Sequence, residues 1–520
     1  MKLPSSEKLE RPIAPLACRT RTTRVIISGL LALGILALVT SFLDDAARVL
    51  GLERIAPRPV AASGAIASTD TYTNCRFGTG QVYRPITDYD TASLNLGWYL
   101  TWGTSTYPER PQGIEYVQML RTSDGAGSLG TNHPGPLTYT PSGSTLEGII
   151  AANPGALWLV GNEPDCTCVN QDNVLPANYA QIYHDAYEFI KARDPSARVA
   201  VGGIVQPTPL RMAYLDIVLD TYASLYGQPL PTDAWHIHSF ILREASCAAY
   251  PYSCWGCRIP PGITADHGEL YEVEQTDSLT IFQQRLVQFR QWMKDKGYRD
   301  TPLIITEYGT LMPHDYGGFD EERGRTFMYG TFDYLLTASD SGTGYPADEN
   351  RLVQRWLWYS LDDNNYGGTL FDKDTTNLLP MGTYYGTYTS GISPTNDLYA
   401  VRVEQVGPVP LSPTSNATTT LEAFVSNVGN APVTRTVTVR FYDDAELQIG
   451  SDQVIAGPLA GCADVYTASV VWTDVAPGAH TVKVVVDPSD GIPESNEGNN
   501  QVYGMVMVAK VQIHLPLVTR

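Results

Sequence analysis

The feature that most constrains the fold is a pair of glutamates that each follow a short apolar run. Glu163 comes after the apolar residues 157–160, and Glu307 comes after the apolar residues 303–305. Apolar runs of this length predict buried strands. Polar groups at the C-terminal ends of buried parallel strands are typical of β/α barrels, whose active sites lie at that end. Two carboxyl groups that face one cleft indicate cleavage of a glycosidic bond.

Strand and helix patterns alternate between residues 94 and 388. Helical periodicity predicts helices over residues 176–193 and 279–296. The alternation predicts repeated strand–helix units, and therefore an α/β fold with a (β/α)8-type TIM barrel. Only seven strands are identifiable; the gap lies at residues 121–156, where 137–139 is a weak candidate. The seven predicted strands are 94–100, 114–120, 157–162, 198–202, 235–238, 303–307 and 356–361.

A different pattern begins after the predicted barrel. Segments such as 434–442 and 480–486 alternate polar and apolar residues, and Gly, Pro and Asn turns separate them. A period of two with closely spaced turns predicts an all-β, immunoglobulin-like sandwich. The predicted domains are therefore a barrel over residues 74–392 and a sandwich over 396–510, followed by a short tail over 511–520.

The N-terminal segment predicts a membrane anchor. Basic residues are scattered through residues 1–24, and the uncharged, mainly apolar residues 25–43 follow. A run of this length can span the hydrocarbon layer, and a basic flank favours the cytoplasmic side. We therefore expect a cytoplasmic segment, a transmembrane signal-anchor, a linker over residues 44–73, and an enzyme outside the cytoplasm, held in the cell membrane by a single pass. The alternative is a cleaved signal peptide, which would give a secreted protein.

Charge and cysteine content agree with an exported protein. The formal net charge of −20 and the lack of Lys and Arg clusters beyond the N-terminus exclude nucleic acid as a partner. Cys166 and Cys168 follow the first glutamate, while Cys247, Cys254 and Cys257 crowd a later loop. Exported cysteines are more often bridged than free, which predicts disulfides. Zinc ligation is the alternative, because Cys254 and Cys257 have a ligand-like spacing.

Five short strings in the predicted barrel follow a pattern known from one group of enzymes. They are Gly97-Trp98-Tyr99 with Trp102, Gly161-Asn162-Glu163-Pro164-Asp165, His236-Ile237-His238, Thr306-Glu307-Tyr308-Gly309, and Trp358-Tyr359. In this order they resemble the clan A (TIM-barrel) retaining glycoside hydrolases, and most closely the family 128-type core, which includes endo-β-1,3-glucanases. The resemblance covers about residues 94–388. It departs at the sixth strand, where the family usually has His-x-Tyr and this chain has Phe240.

The resemblance implies that Glu163 is the general acid/base and Glu307 the nucleophile. An acid must hold its proton, so we expect burial or a neighbouring carboxylate to raise the pKa of Glu163. Such a mechanism needs no metal and no organic cofactor. We predict that Asn162 hydrogen-bonds the substrate and that His238 either hydrogen-bonds the substrate or orients Glu307. Tryptophan rings are expected to offer apolar faces to sugar. The predicted substrate-binding residues are Asn162, His238, Trp358, Trp102 and Trp98.

Strings in the second module resemble the cell-adhesion-related domain known as CARDB. They are Asn427-Val428-Gly429-Asn430, Trp472, Gly478-Ala479-His480, Asp487, and Glu494, Asn496, Glu497, Asn499 and Asn500. This resemblance implies a sandwich that presents the enzyme and binds a cell-surface polymer or protein.

The sequence therefore predicts a membrane-anchored, extracytoplasmic retaining glycosidase. We expect endo-acting hydrolysis of a β-glucan or a related cell-surface polysaccharide. The alternative is a non-catalytic carbohydrate-binding or adhesion protein that uses the barrel as a glycan-binding scaffold. An exo-acting enzyme on the same scaffold is a further possibility.

Overall fold

The computed structural model describes residues 74–127, 129–253, 255–313, 316–407 and 417–509. The predicted segments 1–24, 25–43, 44–73 and 511–520 lie outside these ranges. Within them, no helix has both the length and the apolar character needed to cross a membrane. The predicted transmembrane helix and the predicted single-pass location in the cell membrane are therefore not supported by the described residues.

The first part of the described chain is built around one curled sheet. Its strands are β1 (Asn74–Gly80), β2 (Leu96–Leu100), β3 (Glu115–Tyr116), β4 (Gln118–Ser123), β5 (Thr138–Thr140), β6 (Leu157–Val160), β7 (Arg198–Ile204), β8 (Ala234–His238), β9 (Leu303–Tyr308) and β10 (Arg355–Trp358). They lie in the order β3-β2-β1-β10-β9-β8-β7-β6-β4-β5. All pairs are parallel except β4 with β5. Only Val117 separates β3 from β4, so the two ends of the parallel order meet in one stretch of chain.

Helices pack on the outside of this sheet and make the core a barrel-like α/β structure. They are α1 (Gly143–Ala152), α2 (Pro176–Arg193), α3 (Pro209–Tyr226), α4 (Leu279–Asp295), α5 (Glu321–Thr337) and α6 (Pro380–Ser390). The predicted bounds of α2 are confirmed, and α4 ends one residue earlier than expected. Side-chain caps fix two helix starts, because Ser278 accepts from the backbone N–H of Ile281 and Asp320 accepts from that of Arg323.

Both faces of the parallel strands are buried, which explains their continuous apolar runs. Residues that point into the barrel form one cluster, and residues that face the helices form a larger one. Along β10, Leu357 belongs to the inner cluster, while its neighbours Trp356 and Trp358 belong to the outer one. The inner cluster consists of Trp98, Leu100, Val117, Met119, Leu157, Leu159, Ala200, Ala234, Ile304 and Leu357, with Trp102 against it.

The strand that the sequence patterns missed is β1, at the start of the barrel. It contains a single large apolar side chain, Phe77, and a buried arginine, Arg76, which is paired with Asp348 at 2.9 Å. An apolar-run criterion therefore passes over it. The weak candidate at residues 137–139 corresponds to β5, which pairs antiparallel with β4 and lies outside the run of parallel strands.

Two antiparallel sheets follow the barrel-like core. One has the order β11-β12-β15 and the other the order β14-β13-β16-β17, and together they enclose an apolar core. The strands are β11 (Leu398–Val406), β12 (Ala417–Asn427), β13 (Val437–Tyr442), β14 (Gln453–Ile455), β15 (Val465–Val475), β16 (Gly478–Val486) and β17 (Gln501–Val508). Alternating burial along β13 confirms that one face of the strand is inside.

This all-β part is fixed to the N-terminal ends of the barrel strands. A disulfide joins Cys75, near the start of β1, to Cys462. Arg198, the first residue of β7, is paired with Asp464 of the all-β part and with Glu115, both at 2.9 Å. Because the strands are parallel, these contacts lie at the end of the barrel opposite to the C-terminal strand ends.

Candidate active site

The two glutamates predicted to be catalytic lie at the same end of the sheet. Glu163 follows β6 by three residues, and Glu307 is near the end of β9. β7 and β8 lie between these strands in the sheet. Both carboxyl groups are almost fully buried, with 5% of Glu163 and 6% of Glu307 exposed. The parallel strands thus bring together two acids that are far apart in sequence.

His238, the last residue of β8, lies between the two acids. Its Nδ1 is 2.8 Å from Oε1 of Glu163. Its Nε2 is 3.3 Å from Oε1 of Glu307, without the alignment of a hydrogen bond. One ligand-type atom from each of the three residues lies within 4.8 Å of the others. The two carboxyl groups therefore share one small space on either side of a fully buried imidazole.

The pKa values of both Glu307 and His238 are raised in this space. Burial raises the pKa of Glu307 to about 7, and Glu163 adds to the rise, while His238 and the indole of Trp102 oppose it. Burial disfavours the charged form of His238, but the carboxylates of Glu307 and Glu163 outweigh burial and raise its pKa. The sequence led us to expect a raised pKa at the acid/base; the structure shows one at Glu307, because its carboxyl group is buried close to a second one.

Trp102 contacts the same carboxyl group directly. Its indole Nε1 donates a hydrogen bond to Oε1 of Glu307, with the two atoms 2.5 Å apart. The ring is half-buried and meets Tyr359 edge-on, with ring centroids 5.7 Å apart. Trp102 therefore lies beside the two predicted catalytic acids, and the N–H edge of its ring is hydrogen-bonded to Glu307.

Asn162 is next to Glu163 and is held by the loop that follows. Its backbone N–H donates to Asp172 over 2.8 Å, and its Nδ2 donates to Oε1 of Gln171. Its Oδ1 is buried and has no hydrogen-bond partner among the described residues. Asp172 also accepts from Arg121 over 2.6 Å. This arrangement leaves one amide oxygen beside the acid for a donor such as a sugar hydroxyl.

The structure does not bring Trp98 and Trp358 to the surface of the cleft. Both rings are fully buried. Trp98 lies deep inside the barrel, with the guanidinium of Arg355 4.8 Å above its ring. Trp358 faces the helices, where its Nε1 donates to the carbonyl oxygen of Gly368. Neither ring is open to a sugar.

Tyr359 lies where the sequence analysis placed Trp358. Side chains alternate between the two faces of a strand, so a shift of one residue exchanges inside for outside. The ring of Tyr359 lies between those of Trp102 and Tyr366, with centroid distances of 5.7 and 6.0 Å. Its hydroxyl donates to Oδ2 of Asp363 over 2.8 Å. Extending the alternation from Leu357 would have identified Tyr359, but no signal in the sequence marks Tyr366.

The loop after Glu163 is held by buried charges. Asp165 and Glu244 both accept from the guanidinium of Arg211, over 2.5 and 2.8 Å, and all three side chains are fully buried. Glu163 itself has a left-handed backbone conformation, with φ of 47°, which residues other than glycine rarely adopt. The surrounding contacts therefore determine where the Glu163 carboxyl group points.

Cysteines in this region form disulfides, in agreement with the sequence analysis. Cys166 is bonded to Cys168, so this bridge lies within a single loop. Cys247 is also disulfide-bonded. Cys257 is a free, buried thiol that packs with Cys166. The Cys75–Cys462 bridge had no counterpart in the sequence-based interpretation.

Glu163, His238 and Glu307 form, within the described ranges, the one group of ligand-type side chains close enough together to hold a metal ion. The two ring nitrogens of His238 face different carboxyl groups, so a single ion could be ligated by only one of the two nitrogens. Cleavage of a glycosidic bond by two carboxyl groups requires no such ion.

Comparisons with known proteins find similarity in both parts of the chain. Residues 395–503 match the CARDB family model. The CARDB resemblance predicted from the sequence is thereby confirmed. No curated protein matches the chain. A CARDB domain of a Pyrococcus furiosus protein, solved in complex with di-metal ions, is 22% identical, with 23% of this chain and 99% of that chain covered and a TM-score of 0.20.

The core is similar to enzymes of the family that its motifs indicated. A GH128 subgroup II endo-β-1,3-glucanase from Sorangium cellulosum is 18% identical, with 60% of this chain and 98% of that chain covered and a TM-score of 0.36. A GH128 subgroup I endo-β-1,3-glucanase from Amycolatopsis mediterranei, in complex with laminaritriose, is 16% identical, with 60% and 99% covered and a TM-score of 0.37.

Proposed function

We propose that the protein is a retaining glycoside hydrolase. The observation that carries the proposal is the pair of buried carboxyl groups at the ends of β6 and β9, with oxygens within 4.8 Å of each other. Retaining enzymes hold their two carboxyl groups about 5–5.5 Å apart, whereas inverting enzymes leave about 6.5–9.5 Å for a water molecule. The short separation supports a direct attack by one carboxylate.

In the proposed mechanism, Glu163 donates its proton to the glycosidic oxygen while Glu307 attacks the anomeric carbon. The bond between that carbon and the leaving oxygen breaks as the bond to Glu307 forms. Water then hydrolyses the glycosyl–enzyme ester, with Glu163 now acting as base. His238 hydrogen-bonds Glu163 through Nδ1 and so orients that carboxyl group, while its Nε2 lies 3.3 Å from Oε1 of Glu307. Asn162 supplies its free Oδ1 to a sugar hydroxyl.

The proposed substrate is a β-linked glucan or a related polysaccharide, cut within the chain. The resemblance of the motifs to family 128-type enzymes supports this choice. The half-buried rings of Trp102 and Tyr366 flank the carboxyl groups and suit the apolar faces of pyranose rings. Trp98 and Trp358 are not part of the proposed binding surface because both are buried.

We propose the domain division at residues 392–396 and the finer fold classes as well. Counting β3 and β4 as one interrupted strand gives eight parallel strands, which supports a (β/α)8 barrel. Two facing antiparallel sheets support an immunoglobulin-like sandwich, for which we propose binding to a surface polymer or protein.

The test is hydrolysis of a panel of polysaccharides by the wild-type protein, Glu163→Gln and Glu307→Gln. Reducing ends and product lengths are both measured, and Glu188→Gln, on the exposed face of α2, is the matched control. We expect oligosaccharides from the wild type and the control only. Azide should restore turnover to Glu307→Ala and give a glycosyl azide of inverted configuration. Full activity of either Gln variant would refute the assignment, and binding without cleavage by the wild type would favour a glycan-binding protein.

A further inference from the structure

Glu307 has a single aligned side-chain hydrogen bond among the described residues, and Trp102 donates it. Phe240, whose ring centroid lies 6.2 Å from that of His238, carries no hydroxyl group. Tyr359 has one, but it donates to Asp363. The nearest nitrogen of His238 is at 3.3 Å and is not aligned. The indole N–H is therefore the group that fixes the orientation of this carboxylate.

The contacts of Trp102 fall on one oxygen of the carboxyl group. Its Nε1 and the Nε2 of His238 both approach Oε1 of Glu307. Oε2 has no hydrogen-bond partner among the described side chains. A carboxylate held through one oxygen presents the other in a defined direction, and a nucleophile needs such a direction for attack.

The fold holds the Trp102 ring in place from several sides. The residue lies two positions after β2 and has φ of 56°, a backbone conformation rare for a large side chain. The ring passes over Gly80, the last residue of β1, so closely that a Cβ there would lie 2.5 Å from Cη2. φ of Gly80 is not in the left-handed region, so the ring, rather than the backbone, requires a glycine at this position. Tyr359 and the inner barrel cluster pack against the same ring.

We propose that Trp102 is the positioning residue of the nucleophile, with Gly80 providing the room for its ring. The indole N–H holds Oε1 of Glu307, and Oε2 attacks the anomeric carbon. This inference rests on the proposed function, because it assigns Oε2 to the attack. It gives Trp102 a role beyond that of a sugar platform.

The substitution that tests this role is Trp102→Phe, which keeps an aromatic ring and removes the N–H. We expect kcat to fall about 10- to 100-fold, because a hydrogen bond to a charged group is lost. KM should change by less than about twofold, since the N–H contacts the protein and not the sugar. The acid limb of the pH–rate profile should move up by about one pH unit, because the lost donor favoured the ionised carboxylate.

Two further variants separate positioning from folding. Gly80→Ala should displace the ring and change kcat and the acid limb in the same direction. Trp356→Phe is the matched control, because its indole is fully buried and its Nε1 has no hydrogen-bond partner in the described part of the chain. This variant should leave the pH profile unchanged. A rise in KM alone in Trp102→Phe would indicate a sugar platform and overturn the proposal.

A second measurement does not depend on activity. Carboxyl carbons of labelled glutamate can be titrated by NMR, with the Glu307 signal assigned from its loss in Glu307→Gln. We expect Trp102→Phe to raise the pKa of Glu307 by about one unit. An unchanged pKa would overturn the positioning role even in an active enzyme. If no polysaccharide is cut but the pKa rises, the positioning contact stands and the hydrolase assignment fails.

Discussion

Removal of the Arg211 guanidinium should destabilise the barrel strongly, because it would leave two buried carboxylates without a partner. Arg211, Asp165 and Glu244 are all fully buried. Within the described ranges, Glu244 would keep donors from Thr208 and from the backbone of Glu269, whereas Asp165 would keep only a 3.2 Å contact from a backbone N–H. Breaking a buried ion pair on one side costs about 3–5 kcal/mol. We expect Arg211→Met to lower the free energy of unfolding by that amount.

The assay is equilibrium unfolding in urea, followed by tryptophan fluorescence. The control is the triple variant Arg211→Met, Asp165→Asn, Glu244→Gln, which removes the charges together. Replacing a whole buried ionic group is often close to neutral, so the triple variant should regain most of the lost stability. Asp165 is two residues from Glu163, so we expect Arg211→Met to lose activity even where it is folded. A loss below about 1 kcal/mol in Arg211→Met, or a triple variant no more stable than the single one, would refute this reasoning.

Three further outcomes are expected. Burial raises the pKa of Glu307 to about 7, and the nucleophile must be ionised. We therefore expect kcat/KM to rise with pH up to about 7 and to fall about tenfold per pH unit below it. An acid limb near pH 4 in the wild type would contradict this prediction. Replacing Cys75 and Cys462 by serine should lower the free energy of unfolding by about 2–4 kcal/mol, measured by thermal unfolding. The hydrolysis rate at 25 °C should be unchanged, because the bridge lies at the end of the barrel opposite to the two glutamates. Trp358→Phe should leave KM unchanged because its ring is buried, and a severalfold rise in KM would place it in the cleft after all.

Much of the barrel was predictable because its strands are buried on both faces and read as apolar runs. The run before Glu307 matches β9, and the helical spacing over residues 176–193 matches α2. β1 was not predictable from such runs, because its burial depends on a distant ion pair between Arg76 and Asp348. A sequence pattern shows which side chains are apolar but not which remote partner allows a charged one to be buried.

The candidate site, like the fold, was predictable from the sequence only in part. The two glutamates could be found because their position after a strand fixes the end of the barrel on which they lie. The side to which an aromatic residue points depends on register, and the apolar run alone does not show whether Trp358 or Tyr359 faces the cleft. The donor role of Trp102 depends on a left-handed backbone and on the space above Gly80. Neither can be seen in the order of the residues.

The disulfide between Cys75 and Cys462 has a consequence for how the protein withstands proteases. The bridged residues are 387 positions apart, so nearly all of the described barrel and the first strands of the second module belong to one covalent ring. A protease that cuts one exposed loop inside this ring opens it but releases no fragment. Two cuts, or one cut and a reductant, are needed before any piece can leave. A molecule cut once between the two cysteines therefore consists of two polypeptide chains that the disulfide still holds together.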